Sequence, residues 1–173
     1  KSPGEVAKMQ KAGAVTAEIL MEIGAEVHAG RTTREIDDIA REIFKKYKVG
    51  NAFYQYRGFP GQLCISVNEE VVHGSGGPRR IENGDIVSLD VGAIVDGWYG
   101  DNAMTVPVGM VAPETLRLLA ATEESLFRAI DLVRPGALLA DVCGAVEAFV
   151  RPRGFTVVRD FVGHGIGRHL HEE

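Results

Sequence analysis

Apolar and small side chains recur at Val6, Met9, Gly13, Thr16, Leu20, Ile23 and Val27, the three-and-four spacing that gathers them on one helix face. Ser2-Pro3-Gly4-Glu5 marks where that helix begins. It offers a hydroxyl to accept a backbone N–H, a proline where the missing donor is harmless, and an acid three positions on to close a capping box. Gly30 ends the unit. A second helix, opened by Thr32 or Thr33, aligns Ile36, Ile39, Ala40, Ile43 and Phe44. Both stripes are expected in the core, since an amphipathic helix is stable only when its apolar face is covered.

The pattern then returns. A shift of 106 positions lays Leu20 on Leu126, Val27 on Val133, Gly30 on Gly136, Ile36 on Val142, Ala40 on Val146, Ile43 on Phe149 and Phe44 on Val150. A duplicated two-helix framework accounts for all of these matches at once. Residues 1–110 and 111–173 are therefore expected to be two pseudo-repeats of one domain. Lys48 to Met110 follow the second helix of the first copy, whereas only Gly154 to Glu173 follow that of the second. The second copy is thus expected to be incomplete by roughly forty residues.

Between the helix pairs the period changes from helix to strand, in "LCISVNEEVVHG" and "DIVSLDVGAIVDGWYGDNAMTVPVG". A further run, "FTVVRDFV", also reads as a strand. Asp96-Gly97 is a strong hairpin signal, because both residues tolerate the left-handed backbone that a two-residue turn requires. Helix pairs flanking a hairpin imply an α+β fold, an antiparallel sheet covered by helices on one side.

The hairpin places two carboxylates. With Asp96-Gly97 as the turn, Val95 pairs with Trp98, Asp90 faces Ala103 and Asp101 faces Gly92. Asp90 and Asp101 then share a face as diagonal neighbours, their backbones roughly 7–8 Å apart. The plain alternative is two solvated acids on a wet face. The run "IVSLDVGAIV" favours burial instead, being apolar on both sides. Two buried like charges are costly unless a cation neutralises them, which points to a metal or catalytic role. Two aspartates suit hard divalent ions, and one added imidazole widens the choice to Mn, Fe(II), Co or Zn. Asp85 and Asp96 are expected to be turn residues only.

Composition narrows the function. A net charge of −5 leaves no basic surface for phosphates, so nucleic-acid binding is not expected. No apolar run approaches the roughly 20 residues of a membrane span. Cys64 and Cys143 are too few for a disulfide framework, in keeping with a reducing, cytoplasmic setting.

"VGHGIGRHLHEE" remains. It fails the dinucleotide spacing, because Arg168 stands where the third glycine belongs and no periodic helix follows. His164 follows a predicted strand and is flanked by glycines that let backbone approach closely, so it is the candidate imidazole for the aspartate pair.

Together, "CISVNEEVVHG", "DIVSLDVGAIVDGWYGD" and "VGHGIGRHLHEE" resemble the type I methionine aminopeptidases, over the whole chain. The resemblance implies the pita-bread fold of the creatinase and aminopeptidase enzymes, with 1–173 as a single catalytic domain. It implies two divalent ions (Co, Mn, Fe(II) or Zn) in the complete enzyme, with Asp90, Asp101 and His164 as ligands. His73 is implied to hydrogen-bond the substrate, and His171 to steady the scissile carbonyl as it becomes tetrahedral. Phe53, Tyr56, Phe59, Cys64 and Leu170 fall where the family lines its methionine pocket. His28 and His169 match no functional position, and surface roles are expected for both. The implied substrates are the N-terminal methionines of nascent peptides, with transient ribosome association and no membrane partner.

The chain departs from the family in one large respect. Two glutamate ligands, one of them the family's general base, have no counterpart here, and their roles do not pass to Glu172 or Glu173. Weak or absent turnover is therefore expected from this chain, with at most one weakly bound ion. The alternative from another class is a non-catalytic half-domain that self-associates through an exposed sheet. Two smaller departures are "SGGP" after His73 and Pro152, which should end the last helix early.

Overall fold

Capping boxes open the first two helices of the computed structural model, which describes residues 1–173. Helix α1 spans Pro3–Gly24, with Ser2 and Glu5 capping each other's backbone amides, and α2 spans Thr33–Tyr47, where Thr32 and Glu35 do the same. Each such cap contributes about 1 kcal/mol to its helix. The α1 stripe ends before Gly30: the helix stops at Gly24, and Val27 reaches the core from the turn that follows. Val6, at the other end of the stripe, is 43% exposed.

Four strands form the sheet: β1 (Gly50–Asn51), β2 (Cys64–Val67), β3 (Ile86–Val95) and β4 (Trp98–Pro107). All pairings are antiparallel. The central strand β3 pairs with β4 along its whole length, and with β2 and β1 in succession along its other edge. Asp96 and Gly97 both have positive φ, 51° and 77°, the left-handed pair that a tight hairpin matching the sheet's twist demands. Register follows from that turn, so Val95 pairs with Trp98, Asp90 with Ala103 and Gly92 with Asp101.

Helices α1 and α2 cover the sheet. Ile19, Ile23, Ile36 and Ala40 meet Leu63, Ile65, Val87, Leu89 and Val91 in one buried cluster. A Cβ on Gly100 would stand 2.6 Å from the Ala12 carbonyl oxygen, so only glycine lets β4 lie this close to α1. Residues 1–111 and 164–173 form one compact unit.

Residues 112–163 form a second compact unit, built on α3 (Pro113–Leu132) and α4 (Leu139–Val150). Pro152 ends α4 in a single tight turn. The guanidinium groups of Arg128 and Arg153 lie 4.3 and 3.6 Å from the Phe149 ring centre, close enough for cation–π attraction. One expectation fails here, since Phe155–Val162 is not a strand. No neighbouring strand pairs with it, and Val158, Phe161 and Val162 are exposed. No helix is long and apolar enough to cross a membrane.

Candidate functional site

Asp90 and Asp101 project from β3 and β4 to a common place. The two carboxyls lie close enough to influence each other's charge, and Asp90 Oδ1 is buried with no hydrogen-bond partner. Burial first, and the neighbouring Asp101 charge second, push the Asp90 carboxyl up to about 7. An apolar strand thus holds an acid with one oxygen shielded from solvent and without a protein donor. Such a group is destabilising unless something absent from the protein compensates it.

His164 reaches the same place from the far end of the sequence, with its Nε2 3.6 Å from Asp101 Oδ2. Its Nδ1 lies 3.0 Å from the Gly165 carbonyl oxygen, the contact that orients an imidazole when its other nitrogen serves a ligand. The His164 and His171 rings are 4.3 Å apart between centres. His171 Nδ1 is 2.9 Å from the Tyr56 hydroxyl. Burial, His164 and Arg57 hold the His171 imidazole below its ordinary pKa, favouring the neutral ring. No three of these side chains yet share one coordination sphere, because His164 and Asp90 each approach Asp101 separately. The donor set, two carboxylates and an imidazole around an orphaned buried oxygen, nonetheless fits a divalent cation.

An apolar cluster adjoins the acids. Phe53, Cys64 and Leu170 are buried together with Ala52, and Tyr56, Phe59, Ile94 and Tyr99 pack around them. Cys64 pairs with Asp90 across the strands. Burial, and then the Asp90 charge, raise its thiol to about 12, so the sulfur is uncharged at neutral pH. Gly92 makes room for the ring of Phe53, since a Cβ there would stand 2.5 Å from Phe53 Cε1. His73 is exposed with a φ of 61°, and its backbone amide faces the Cys64 thiol. His28 and His169 are exposed and outside this group. The structure therefore brings together Asp90, Asp101, His164, His171 and the five apolar candidates, with His73 at their border.

Two residues in this region went unread in the sequence. Asp37, on α2, accepts the Gln62 amide at 2.6 Å and packs under Gly76, tying down the chain on either side of β2. Burial raises its pKa, with its backbone hydrogen bonds opposing the rise. Its signal was a single acid inside the α2 apolar stripe. Glu172 is the other: Lys1, then the amides of His169 and Arg168, hold its carboxyl down at about 2. Nothing in the sequence separates it from a solvated acid. Asp96 also does more than turn the chain, pairing with Lys11 at 2.7 Å.

Residues 7–173 match metallopeptidase family M24. The chain is 41% identical over its whole length to methionine aminopeptidase 1 of Bacillus subtilis, and spans 70% of that protein. It superposes over its whole length on the crystal structure of methionine aminopeptidase from Rickettsia prowazekii, with a TM-score of 0.97 and 37% identity, covering 70% of that chain. The methionine aminopeptidase of Thermotoga maritima gives a TM-score of 0.95 at 44% identity, again over the whole of this chain and 70% of the other.

Proposed function

This chain belongs to metallopeptidase family M24, among its methionine aminopeptidases, and on that footing we propose that Asp90, Asp101 and His164 hold a divalent cation for removal of N-terminal methionine. Its fold is the pita-bread fold, an antiparallel sheet covered by helices. The observation that carries the proposal is the orphaned Asp90 Oδ1 beside Asp101. A bound divalent ion supplies Lewis-acid polarisation of a peptide carbonyl and a more acidic water.

The chain's own residues do the rest. Phe53, Tyr56, Phe59, Cys64 and Leu170 enclose the methionine side chain, whose flexible thioether suits apolar rings and a neutral thiol. A phenol is a better donor than a neutral imidazole and a poorer acceptor, so Tyr56 donates to His171 Nδ1. That leaves the His171 proton on Nε2, from which it can steady a carbonyl oxygen as charge builds. His73 hydrogen-bonds the peptide backbone of the substrate. The substrates are nascent chains in the cytoplasm, met transiently at the ribosome.

Three ligands bearing two negative charges hold a cation weakly, so these 173 residues bind at most one ion and turn over slowly. Residues 1–173 form one catalytic domain in this proposal, with two pseudo-repeats, 1–110 and 111–173. In support, α2 begins at Thr33 and α4 at Leu139, 106 positions apart, and Gly30 and Gly136 are both left-handed, with φ of 93° and 86°. The alternative half-domain pairing through a bare sheet has less support. Large exposed apolar side chains such as Leu126, Phe127 and Ile130 lie on helix α3 rather than on strands.

Incubation with the peptide Met-Ala-Ser tests the proposal. Slow release of methionine is expected with added Mn2+ or Co2+, lost with EDTA and in Asp101→Ala, and absent for the N-acetylated peptide. Equal turnover in EDTA, or equal cleavage of the acetylated peptide, contradicts it.

A further inference from the structure

His164 and His171 are brought within 4.3 Å of each other by a stretch that contains neither helix nor strand. Its backbone closes through one isolated bridge: Gly165 donates to the Glu172 carbonyl at 2.8 Å, and Glu172 donates back to Gly165 at 2.7 Å. The two imidazoles are the residues just outside and just inside that bridge, so whatever keeps it closed keeps them together.

Inside the closed turn one carboxylate meets the unpaired donors. Glu172 Oε1 accepts the backbone amides of Arg168 and His169, at 2.7 and 3.1 Å, and Oε2 accepts the Lys1 ammonium at 2.8 Å. The carboxylate lies directly over Gly167, where a Cβ would stand 2.6 Å from Oε2 and 2.7 Å from Oε1. Gly167 in turn accepts the Tyr99 amide at 2.8 Å, and the Arg168 guanidinium lies 4.5 Å from the Trp98 ring centre, which moors the turn to β4. Both oxygens of Glu172 are engaged in this work, with three charge-assisted hydrogen bonds that exceed neutral ones in strength.

We propose that Glu172 is a positioning residue, a clamp that fixes the turn from Gly165 to Glu172 and thereby holds His164 and His171 side by side against Asp101. It rests on the proposed function only for the consequence drawn, that loosening the clamp weakens cation binding although no ligand is removed. The geometric claim stands by itself.

Nuclear magnetic resonance on the metal-free 173-residue chain tests that claim, by the Overhauser contact between the ring protons of His164 and His171. The contact is expected in the wild type and in Glu172→Gln, whose amide oxygen still accepts the two backbone donors. It should fall several-fold in Glu172→Ala and in Gly167→Ala, which displaces the carboxylate without removing it, with the sheet resonances of β3 and β4 unchanged in both. Titration with Mn2+ then reads the consequence, with affinity about tenfold lower in both alanine variants, the usual scale for loss of an outer-shell support. An undiminished ring contact in both alanine variants overturns the clamp, as does its equal loss in Glu172→Gln. Loss of the contact in a chain whose wild type binds no cation upholds the clamp and contradicts the proposed function.

Discussion

The two halves of the site are held by different physics. Asp90 and Asp101 sit on a ladder of ten residue pairs, whose other face is covered by two helices packed close at a glycine. His164 and His171 sit on a turn closed by a single bridge and one carboxylate. The ladder is rigid enough to keep two like charges where neither would go by itself. The turn has no such reserve, and its geometry depends on a few polar contacts at the surface. Damage to packing should therefore move the acids only by unfolding the sheet, whereas small polar changes should move the histidines alone.

The largest expected effect is on the ladder. Gly100→Ala forces a Cβ against the Ala12 carbonyl and should destabilise the chain by about 1–3 kcal/mol, the usual penalty for overpacking. Thermal unfolding should register it as a midpoint lower by a few degrees. An unchanged midpoint would show that α1 and β4 can part without cost, and that the ladder is less constrained than the turn.

A second effect concerns pH. Burial and Asp101 raise the Asp90 pKa from its ordinary value of 3.8 to about 7, so the folded chain holds a proton that the unfolded chain releases. The associated stabilisation is complete below pH 4 and is lost as pH rises towards 7. Metal-free protein should thus lose stability across that interval, and Asp90→Asn should flatten the dependence. Equal pH profiles for the two proteins would mean that the acids are solvated after all.

The smallest effect is on the turn. Glu172 is depressed to about 2 by Lys1 and the turn amides, so its contribution is present above its ordinary value of 4.5 and fades as pH falls towards 2. The ring contact between His164 and His171 should weaken over that range before the sheet unfolds. Simultaneous loss of both would erase the distinction between the two halves.

The same contrast explains what the sequence disclosed. The hairpin was legible because turn chemistry fixes register, and register fixes which face each side chain takes. The position of Asp90 opposite Ala103 needed nothing more. Phe155–Val162 misled because a run of β-branched residues reports a preference, while a strand also needs a neighbour to bond. The helical stripe on α3 was legible as a helix, yet Leu126 is 57% exposed where its counterpart Leu20 is 5% exposed. Periodicity reports which face could be buried and says nothing about what covers it. Glu172 was invisible for a similar reason, since its partners are backbone amides and a distant lysine that only the folded turn assembles.

Calorimetric titration of the metal-free chain with Mn2+, for the wild type beside Asp90→Asn and Asp101→Asn, tests the central claim most directly. Saturable binding near one ion per chain is predicted for the wild type. Each substitution should weaken it by more than about 100-fold, beyond the 10–100-fold typical of outer-shell losses. Indistinguishable isotherms for the three proteins, or no saturable binding to the wild type, would contradict the claim that these two acids are paired to hold a cation.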